Sequence, residues 1–447
     1  MSKQNQRFIF ILCFVFASVV SFSTSSTSIA KTKEKPRELK FLQLKAETKS
    51  DRNQIANLGF SIESVKTGSV WGFADPDTLR NIKEAKLEIL GSFDPSVAKG
   101  GHGSGFSDFP SEDSNFHNYS ELIKALRKLN TDHPEITRLT SIGKSMEDRD
   151  IWAFNINTSK EDLEKGTSNR PGVIYMGTHH AREHLSTELP LMYIAHLLEN
   201  KNNPTVKSLL ENRDIWVIPM VNPDGVEWDI IGDRYKMWRK NRRDNRDGNY
   251  GVDLNRNYSY GWGRGGSSGS TGSDIYRGEA PFSEPETQTI KSFVESHLNS
   301  KILVSVHTFS ELILYPWGHT DSPISNEKDR QAFQNMAETM ARWNKYTPQQ
   351  SSDLYIASGD TTDWAYGEHG IFAFTFELSP RSMWEGGFYP GQRYIDKVFQ
   401  DNLRPLLYLL EIADDPYQVV NNQPTGFLSN YIEPKLPLIS QSDSLLK

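Results

Sequence analysis

The densest group of metal-binding side chains in the sequence is the stretch GTHHAREHLS at residues 177–186, where His179, His180, Glu183 and His184 lie within six positions. Histidine nitrogens and carboxylate oxygens are the usual zinc ligands of hydrolases. The stretch fits H-x-x-E, with ligands at His180 and Glu183. It also fits H-x-x-E-H, in which both histidines bind zinc and the glutamate is the base. The two patterns need different backbones, so the flanking residues decide between them.

The flanks favour a turn between a strand and a helix. Upstream, GVIYMG is a continuous apolar run that ends at Gly177, as expected of a buried strand. Pro190 would remove a hydrogen bond and clash with the preceding turn if a helix ran from His180. A helix that begins near Ser186 or Thr187 instead places Pro190 in its first turn. A continuous helix carrying the H-x-x-E-H pattern is therefore disfavoured.

On such a turn we expect His180 and Glu183 to bind the metal, with His179 and His184 as neighbours that do not. A zinc hydrolase needs a third protein ligand and an open fourth position, where the metal polarises a carbonyl and lowers the pKa of bound water towards ~7. His307 follows the apolar run ILVSV, and strand ends converge on the crevice of an open α/β sheet. Position alone does not distinguish a ligand at His307 from a structural histidine.

The elements that must position these residues are read from apolar patterns. Continuous apolar runs predict strands, buried on both faces, at 151–156, 173–177, 215–221, 302–307 and 371–377. Helical periodicity predicts helices at 120–129, 285–298, 326–343 and 393–411, the first with Ser120 as its N-cap. Helices of this length can serve as crossovers. The pattern predicts an α/β fold, a single large domain with a mixed, mostly parallel, twisted sheet flanked by helices.

The beginning of the sequence has the pattern of a secretory signal peptide over residues 1–30. Lys3 and Arg7 precede the apolar run at 8–22, and a small residue, Ala30, ends the polar stretch that follows. The alternative of a membrane anchor is weaker, because the run is about 15 residues long and a spanning helix needs ~20. We expect a secreted protein, or a periplasmic one if the source is Gram-negative.

The rest of the chain divides into four parts. Period-2 runs that flank two helical stretches predict a small α+β domain at 31–95. Glycine and serine fill most of 96–107, which predicts a flexible linker that contains or adjoins a processing site. The large domain spans 108–415, and the tail at 416–447 has no role that we can assign. A small domain, a cleavable tether and a large domain are typical of a zymogen, so 31–95 is interpreted as an activation propeptide.

The overall composition excludes several partners. A net charge of −7 over 447 residues provides no basic surface for nucleic acid. The single cysteine, Cys13, lies in the predicted signal peptide, so the exported chain would hold no disulfide. We expect a monomer with no membrane contact after signal removal. Calcium sites cannot be read from the positions of the Asp and Glu residues.

Five motifs, in order and at similar spacing, resemble those of the zinc metallocarboxypeptidases of the carboxypeptidase A and B type. They are HAREH, MWRKNR, GVDLNRNY, VHTFSELILYPWG and FTFEL. Further stretches, among them SIGKS, YTPQQ, SDLYI and TDWAYG, are similar to the bacterial carboxypeptidase T branch of that family. The resemblance spans roughly 108–415. It implies an exopeptidase with one zinc ion per chain, bound by His180, Glu183 and His307.

The resemblance also implies roles for residues around the metal. Asn255 and Arg256 would bind the terminal carboxylate of a peptide, since arginine holds a carboxylate through two hydrogen bonds. Arg239 would stabilise the oxyanion of the tetrahedral intermediate, and Arg182 would steer the substrate towards the metal. Glu377 would be the general base, which takes a proton from water and delivers one to the leaving amine.

Three further positions concern the substrate. Tyr355 matches a mobile tyrosine that closes over the bound peptide. Thr362 takes the position at the floor of the pocket for the C-terminal side chain, and Asp360 lies two residues before it. This pair implies acceptance of both apolar and basic C-terminal residues.

The sequence therefore predicts a secreted zinc exopeptidase that is made as a zymogen, activated by another protease, and acts on peptide and protein C-termini. One alternative is an H-x-x-E-H endopeptidase, which needs a further downstream glutamate ligand. A second is an inactive peptide-binding relative, which should have lost a ligand or the base. A third is a relative that cleaves bacterial cell-wall peptides, and the presence of Arg239, Asn255 and Arg256 favours ordinary peptide C-termini over it.

Overall fold

The computed structural model describes residues 33–34, 38–93, 108–232 and 234–421 of the chain. The predicted signal peptide at 1–30 and the predicted linker at 96–107 lie outside the described residues. So does most of the predicted tail, of which Pro416–Asn421 form a short 3-10 helix. Within the described ranges, no helix combines the length and apolar character needed to cross a bilayer. These ranges contain two sheets, one in each predicted domain.

The first unit, at 38–93, has the predicted α+β composition. Its elements are β1 (Lys40–Lys45), α1 (Lys49–Asn57), β2 (Ser61–Lys66), β3 (Ser69–Ala74), α2 (Pro76–Glu84) and β4 (Ile89–Phe93). The strands form an antiparallel sheet in the order β2-β3-β1-β4. The period-2 runs predict β1 and β4 but not the hairpin of β2 and β3. Its tight loop ends in Gly68, whose positive φ of 75° suits a residue without a Cβ.

The two faces of this small sheet pack against different partners. Leu42 and Leu44 of β1 belong to a buried cluster with Ile55 of α1. Phe41 points to the opposite face, as alternation along a strand requires. It belongs to a second buried cluster that includes Phe388 of the large unit. The small sheet therefore uses one face for its own core and the other to contact the large unit.

The large unit contains an eight-stranded sheet. Its strands are β5 (Thr137–Lys144), β6 (Asp150–Ile156), β7 (Gly172–Gly177), β8 (Asp214–Ile218), β9 (Ser300–Thr308), β10 (Leu312–Tyr315), β11 (Thr347–Gln350) and β12 (Phe372–Leu378), in the order β11-β10-β12-β9-β7-β8-β6-β5. The pairs β11·β10, β12·β9, β9·β7 and β7·β8 are parallel, and the other three pairs are antiparallel. The predicted mixed, mostly parallel sheet is confirmed.

Helices cover both faces of this sheet. They are α3 (Tyr119–Asp132), α4 (Lys160–Lys165), α5 (Leu185–Glu199), α6 (Pro204–Asn212), α7 (Pro223–Asp229), α8 (Pro285–Ser296), α9 (Glu327–Asn344), α10 (Thr361–His369) and α11 (Tyr394–Ile412). On β7, Val173 and Tyr175 pack in a cluster with α5, α9 and α11, whereas Ile174 and Met176 pack with α8 and α10. Burial on both faces explains why the strands read as continuous apolar runs.

The predicted strands and helices are present with ends that differ by a few residues, and the predicted end of β8 and the predicted N-cap of α3 are wrong. β8 ends at Ile218, earlier than predicted, because Pro219 has no amide hydrogen with which to continue the ladder. The N-cap of α3 is Asn118 rather than Ser120. Asn118 and Glu121 form a reciprocal capping box, in which each side chain accepts a hydrogen bond from the other residue's amide.

The central strands β7, β9 and β12 run parallel and end at the same edge of the sheet. Their register pairs Gly177 with Val306, and His307 with Glu377. The turn after β7, the end of β9 and the end of β12 therefore meet at one place. Polar side chains at these three strand ends form the candidate site.

Candidate metal centre

Residues 178–184 form the turn between β7 and α5 that the flanking sequence predicts. Gly177 lies so close to the Ser186 carbonyl that a Cβ there would be 1.9 Å from its oxygen. The Thr178 hydroxyl closes the turn through hydrogen bonds with the hydroxyls of Ser186, at 3.0 Å, and Thr187, at 2.6 Å. These contacts fix the turn against the end of β7.

Pro190 occupies a different place from the predicted one. Because α5 begins at Leu185, Pro190 lies in the second turn of the helix rather than the first. Its missing amide would have bonded the Ser186 carbonyl. The Ser186 carbonyl instead lies against Gly177, at the end of β7. Pro190 therefore suits a helix whose first turn packs against that strand.

Three buried side chains converge at the strand ends. His180 Nδ1 lies 2.8 Å from Glu183 Oε1, and His307 Nδ1 lies 2.9 Å from Glu183 Oε2. The two Nδ1 atoms are 3.1 Å apart. Two imidazole nitrogens and one carboxylate are a donor set that zinc takes in hydrolases. Of the residues described, these are the three whose ligand atoms come together closely enough to hold a metal ion, so the donor set fits zinc.

The two other histidines of the cluster have different partners. His179 Nε2 hydrogen-bonds the Tyr258 hydroxyl at 2.8 Å, and burial lowers the pKa of His179 well below its usual value. His184 Nε2 hydrogen-bonds Asp229 at 2.9 Å. Because His184 does not join the metal cluster, the H-x-x-E-H geometry lacks one of its two histidine ligands here.

Two neighbours orient the metal-binding histidines. Asp253 Oδ1 lies 3.0 Å from His180 Nε2, and the Ser305 hydroxyl lies 3.0 Å from His307 Nε2. A partner on the outer nitrogen fixes the tautomer, leaving the inner nitrogen for a metal. Burial alone would raise the pKa of Asp253, but Arg239 and His180 outweigh it, and the pKa lies well below its usual value.

Sequence reasoning did not single out Asp253, although it stands in the motif GVDLNRNY two residues before Asn255. Its signal was weak, because an aspartate after a short apolar stretch is common on surfaces. Only its complete burial beside His180 and Arg239 reveals its role.

Glu377 is the penultimate residue of β12, pairs in register with His307, and lines the same cavity as His180 and Glu183. Burial, followed by the charge of Glu183, raises the pKa of Glu377 well above its usual value. A carboxyl group beside a metal cluster is the kind of side chain that serves as a general base or acid. Among the hydrogen bonds of the described residues, those of His180, Glu183 and His307 connect the three side chains to one another and not to Glu377.

The predicted substrate-binding groups surround this cluster. Arg239 donates from Nε to Asp253 at 3.0 Å, while its Nη1 lies 3.9 Å from Glu183 Oε1. Arg256 donates to the carbonyls of Gly266 and Asn255. Asn255 accepts hydrogen bonds from the amide and hydroxyl of Thr361, both at 2.9 Å. Each of the three side chains is thereby held in place at the wall of the cavity.

The cavity has a volume of about 420 Å³ and brings most of the predicted site together. Its walls include the predicted residues His180, Glu183, Arg239, Asn255, Arg256, Tyr355, Asp360, Thr362 and Glu377. Residues 62–66 of β2, in the small unit, line the same cavity. The small unit therefore covers the crevice.

The pocket predicted for the C-terminal side chain is built on the start of α10. Asp360 is the N-cap of this helix, and its Oδ1 accepts from the amides of Thr362 and Asp363. The Thr362 hydroxyl also donates to that oxygen, at 2.7 Å. Burial and the neighbouring Asp363 raise the pKa of Asp360 to about 7. Tyr355 also lines the cavity, and its hydroxyl donates to the Ile62 carbonyl of β2 at 3.2 Å.

Arg182 lies beside the cavity and is fully buried. It pairs with Glu63 of β2 at 2.7 Å and with Asp274 at 3.1 Å. The rings of Phe73 and Phe388 lie 4.8 and 4.3 Å from its guanidinium carbon. Glu63 of the small unit thus forms an ion pair with the arginine to which the sequence resemblance assigns substrate steering.

Comparisons with known proteins agree with this arrangement. A family model described as zinc carboxypeptidase matches residues 122–405. A zinc carboxypeptidase of Saccharothrix mutabilis subsp. capreolus is 34% identical over 419 residues, covering 90% of this chain and 94% of the relative. Carboxypeptidase B of Astacus astacus is 30% identical over 312 residues, covering 68% and 99%. In fold, the chain resembles the crystal structure of carboxypeptidase A from Helicoverpa armigera, with a TM-score of 0.68 at 23% identity over 87% of this chain and 100% of that one.

Proposed function

The chain belongs to the zinc carboxypeptidase family, and we propose that this hydrolase is a secreted zymogen that removes apolar and basic residues from peptide C-termini. Membership in the family makes it a metallocarboxypeptidase with one zinc ion. The observation that supports the proposal best is the convergence of the metal cluster, Glu377 and two arginines on one covered cavity. A carboxypeptidase needs both a hydrolytic centre and cations for the terminal carboxylate.

In this proposal His180, Glu183 and His307 hold the zinc. When bound, the ion supplies a Lewis acid for the scissile carbonyl and for water. Glu377 takes a proton from the attacking water and returns it to the leaving amine, a role supported by its place in the cavity wall with His180 and Glu183. Arg239 donates hydrogen bonds to the oxyanion that forms at the carbonyl, and Asp253 holds the guanidinium in position for this.

Asn255 and Arg256 bind the terminal carboxylate. Both are fixed by neighbouring backbone groups, Asn255 through Thr361 and Arg256 through the Gly266 carbonyl. Fixed donors lose little freedom when a substrate binds. This pair favours ordinary peptide C-termini over the cell-wall alternative, because it recognises a free carboxylate at the end of a chain.

The zymogen proposal rests on contacts between β2 and the crevice. Residues 62–66 line the cavity, Glu63 pairs with the buried Arg182, and the Tyr355 hydroxyl donates to the Ile62 carbonyl. A substrate would need the space and the cation that β2 uses. Cleavage in or beside the linker at 96–107 by another protease would release the covering unit. The signal-like pattern at 1–30 supports secretion, and we propose a monomer.

The preference for both apolar and basic residues rests on Asp360 and Thr362. Thr362 offers a methyl group at the pocket wall, while its hydroxyl is occupied by Asp360. The second oxygen of Asp360 is left to meet a cationic side chain, and when it is protonated the pocket carries no charge at this point. This specificity is also what the resemblance of the sequence motifs to the carboxypeptidase T branch implies, and it is a prediction.

The test is a kinetic scan of blocked dipeptides that differ only in the last residue, run before and after limited proteolysis and with and without a chelator. We expect low activity in the unprocessed protein, a rise after cleavage, loss with chelator and recovery with zinc. Leu, Phe, Lys and Arg should be released and Asp and Glu should not. Full activity before cleavage would refute the proposal that the protein is made as a zymogen. Cleavage of internally positioned bonds in peptides with amidated C-termini would favour an endopeptidase instead.

A further inference from the structure

Asp229, at the end of α7, is a fully buried carboxylate that collects donors from three parts of the fold. It accepts from the Trp238 amide at 2.7 Å and pairs with His184 Nε2 at 2.9 Å. The Tyr389 hydroxyl donates to it at 3.0 Å. A buried charge is costly unless several donors surround it. These donors therefore bind tightly and hold their own segments in place.

The segment held in this way leads directly to Arg239. Met237 adopts a positive φ of 56°, which is uncommon for a residue with a side chain, so its surroundings must maintain it. Its amide donates to the Tyr389 hydroxyl at 3.0 Å, and the next amide, of Trp238, donates to Asp229. The Arg239 carbonyl accepts from the Ala181 amide at 3.0 Å. The strained turn is thus tied on both sides.

We propose that His184, Asp229 and Tyr389 form a positioning network that sets the backbone at 236–239 and thereby places the Arg239 guanidinium against the reacting carbonyl. The inference rests on the proposed function of Arg239. It assigns a role to the last histidine of the HAREH motif, which is neither a metal ligand nor a bystander. One short turn carries the metal-binding residues, and its final side chain sets the position of the oxyanion-binding arginine.

The geometry favours positioning over simple packing. The ring of His184 contacts Phe109 edge-on at 4.8 Å, a contact that an apolar ring would also make. Its Nε2, however, is directed to Asp229. Asp229 touches the backbone one residue before Arg239, while Asp253 holds the guanidinium at the other end. Arg239 is therefore fixed from both its backbone and its side chain.

The experiment compares His184→Gln, Asp229→Asn and Tyr389→Phe in the processed enzyme. Tyr235→Phe is the matched control, since its ring stacks on Tyr389 at 3.9 Å but its hydroxyl donates to Asp113. We expect kcat to fall about tenfold or more in the three network variants, because small displacements of a catalytic group reduce rates strongly. KM and zinc content should stay unchanged. Tyr235→Phe should keep the wild-type kcat.

A second measurement separates positioning from general destabilisation. Affinity for a phosphonate analogue of the tetrahedral intermediate should fall in step with kcat/KM, while affinity for a product amino acid stays constant. Equal kcat values in the wild type and all three variants would overturn the positioning role and leave the carboxypeptidase intact. A parallel loss of zinc or of product affinity would also overturn it, in favour of a structural role. A processed wild type without peptidase activity would overturn both proposals.

Discussion

At the residue scale, the candidate site combines side chains with opposite requirements. Burial would raise the pKa of Glu183, but its interactions with His180 and His307 outweigh burial, and the pKa lies below its usual value. Glu377, near the end of β12, is buried near the negative charge of Glu183 and has a raised pKa. Two carboxylates whose surroundings push their pKa values apart can divide the work of metal binding and proton transfer. The protein obtains two functions from one residue type through burial and neighbours.

The ligand assignment predicts a difference in zinc content between two histidine variants. His307→Ala removes one of the three donors and should lower zinc to well below one equivalent per chain. His184→Gln should keep one equivalent, since His184 hydrogen-bonds Asp229 and lies outside the cluster. Metal analysis after dialysis against metal-free buffer measures both. Zinc loss from His184→Gln with retention in His307→Ala would reverse the assignment.

Asp360 predicts that substrate preference depends on pH. Burial and Asp363 raise its pKa to about 7, while Arg256 and the hydrogen bonds from Thr362 and Asp363 oppose the rise. The carboxyl group is thus neutral below pH 7 and charged above it. The ratio of kcat/KM for C-terminal Lys to that for C-terminal Leu should rise as the pH passes through 7.

Asp360→Asn provides the control for this prediction. Asparagine caps a helix as well as aspartate does, so α10 should remain intact. The variant should lose activity on C-terminal Lys and Arg more than on Leu and Phe, and its ratio should not change with pH. An unchanged pH profile in Asp360→Asn would show that another group is responsible.

At the element scale, the site depends on how closely the end of β7 approaches the start of α5. Gly177 and the Ser186 carbonyl are in contact, and Pro190 leaves that carbonyl without a helical partner. The turn at 178–184 can then direct His180 and Glu183 to the same point. Close packing of strand and helix therefore determines the geometry of the metal ligands.

Gly177→Ala should weaken both folding and zinc binding. The new Cβ would lie 1.9 Å from the Ser186 carbonyl oxygen, so the backbone of the strand or the helix must shift to make room for it. We expect a loss of about 3 kcal/mol in the free energy of unfolding, at the upper end for overpacked sites. Gly172→Ala, at the other end of β7, meets the Ser300 hydroxyl at 2.8 Å and should destabilise without changing zinc affinity. Denaturation and zinc competition measure the two effects; equal zinc affinities in both variants would contradict the prediction.

At the scale of the whole molecule, two units share one buried surface. Phe41 and Phe73 of the small sheet pack with Phe309 and Phe388 of the large unit, beside the crevice. Polar contacts at the interface include Arg52, whose Nη2 donates to the Asp353 carbonyl at 3.0 Å. The interface thus combines an apolar cluster with polar contacts, among them the ion pair of Glu63 on β2 with Arg182.

Glu63→Gln should raise the activity of the unprocessed protein. It removes the charge that pairs with fully buried Arg182, and breaking such a pair costs about 3 kcal/mol. A change of that size shifts the balance towards an uncovered crevice by about 100-fold. Glu88→Gln, at an exposed pair with Lys45 in the same unit, is the control and should change nothing. Dipeptide hydrolysis by uncleaved protein measures the effect. Identical rates in both variants would contradict a role of the Glu63–Arg182 ion pair in covering the crevice.

The sequence by itself determined five of the eight strands of the large sheet, the turn that carries His180 and Glu183, and the family. Apolar runs report burial, and the turn is marked by Gly177 and Pro190, which are local signals. Only the tertiary structure decided the partners of each polar side chain. The register of β9 against β12 places His307 beside Glu377, Asp253 reaches His180 from a distant loop, and His184 binds Asp229. These contacts join residues far apart in the chain, and no local pattern encodes the hydrogen bonds that burial forces them to make.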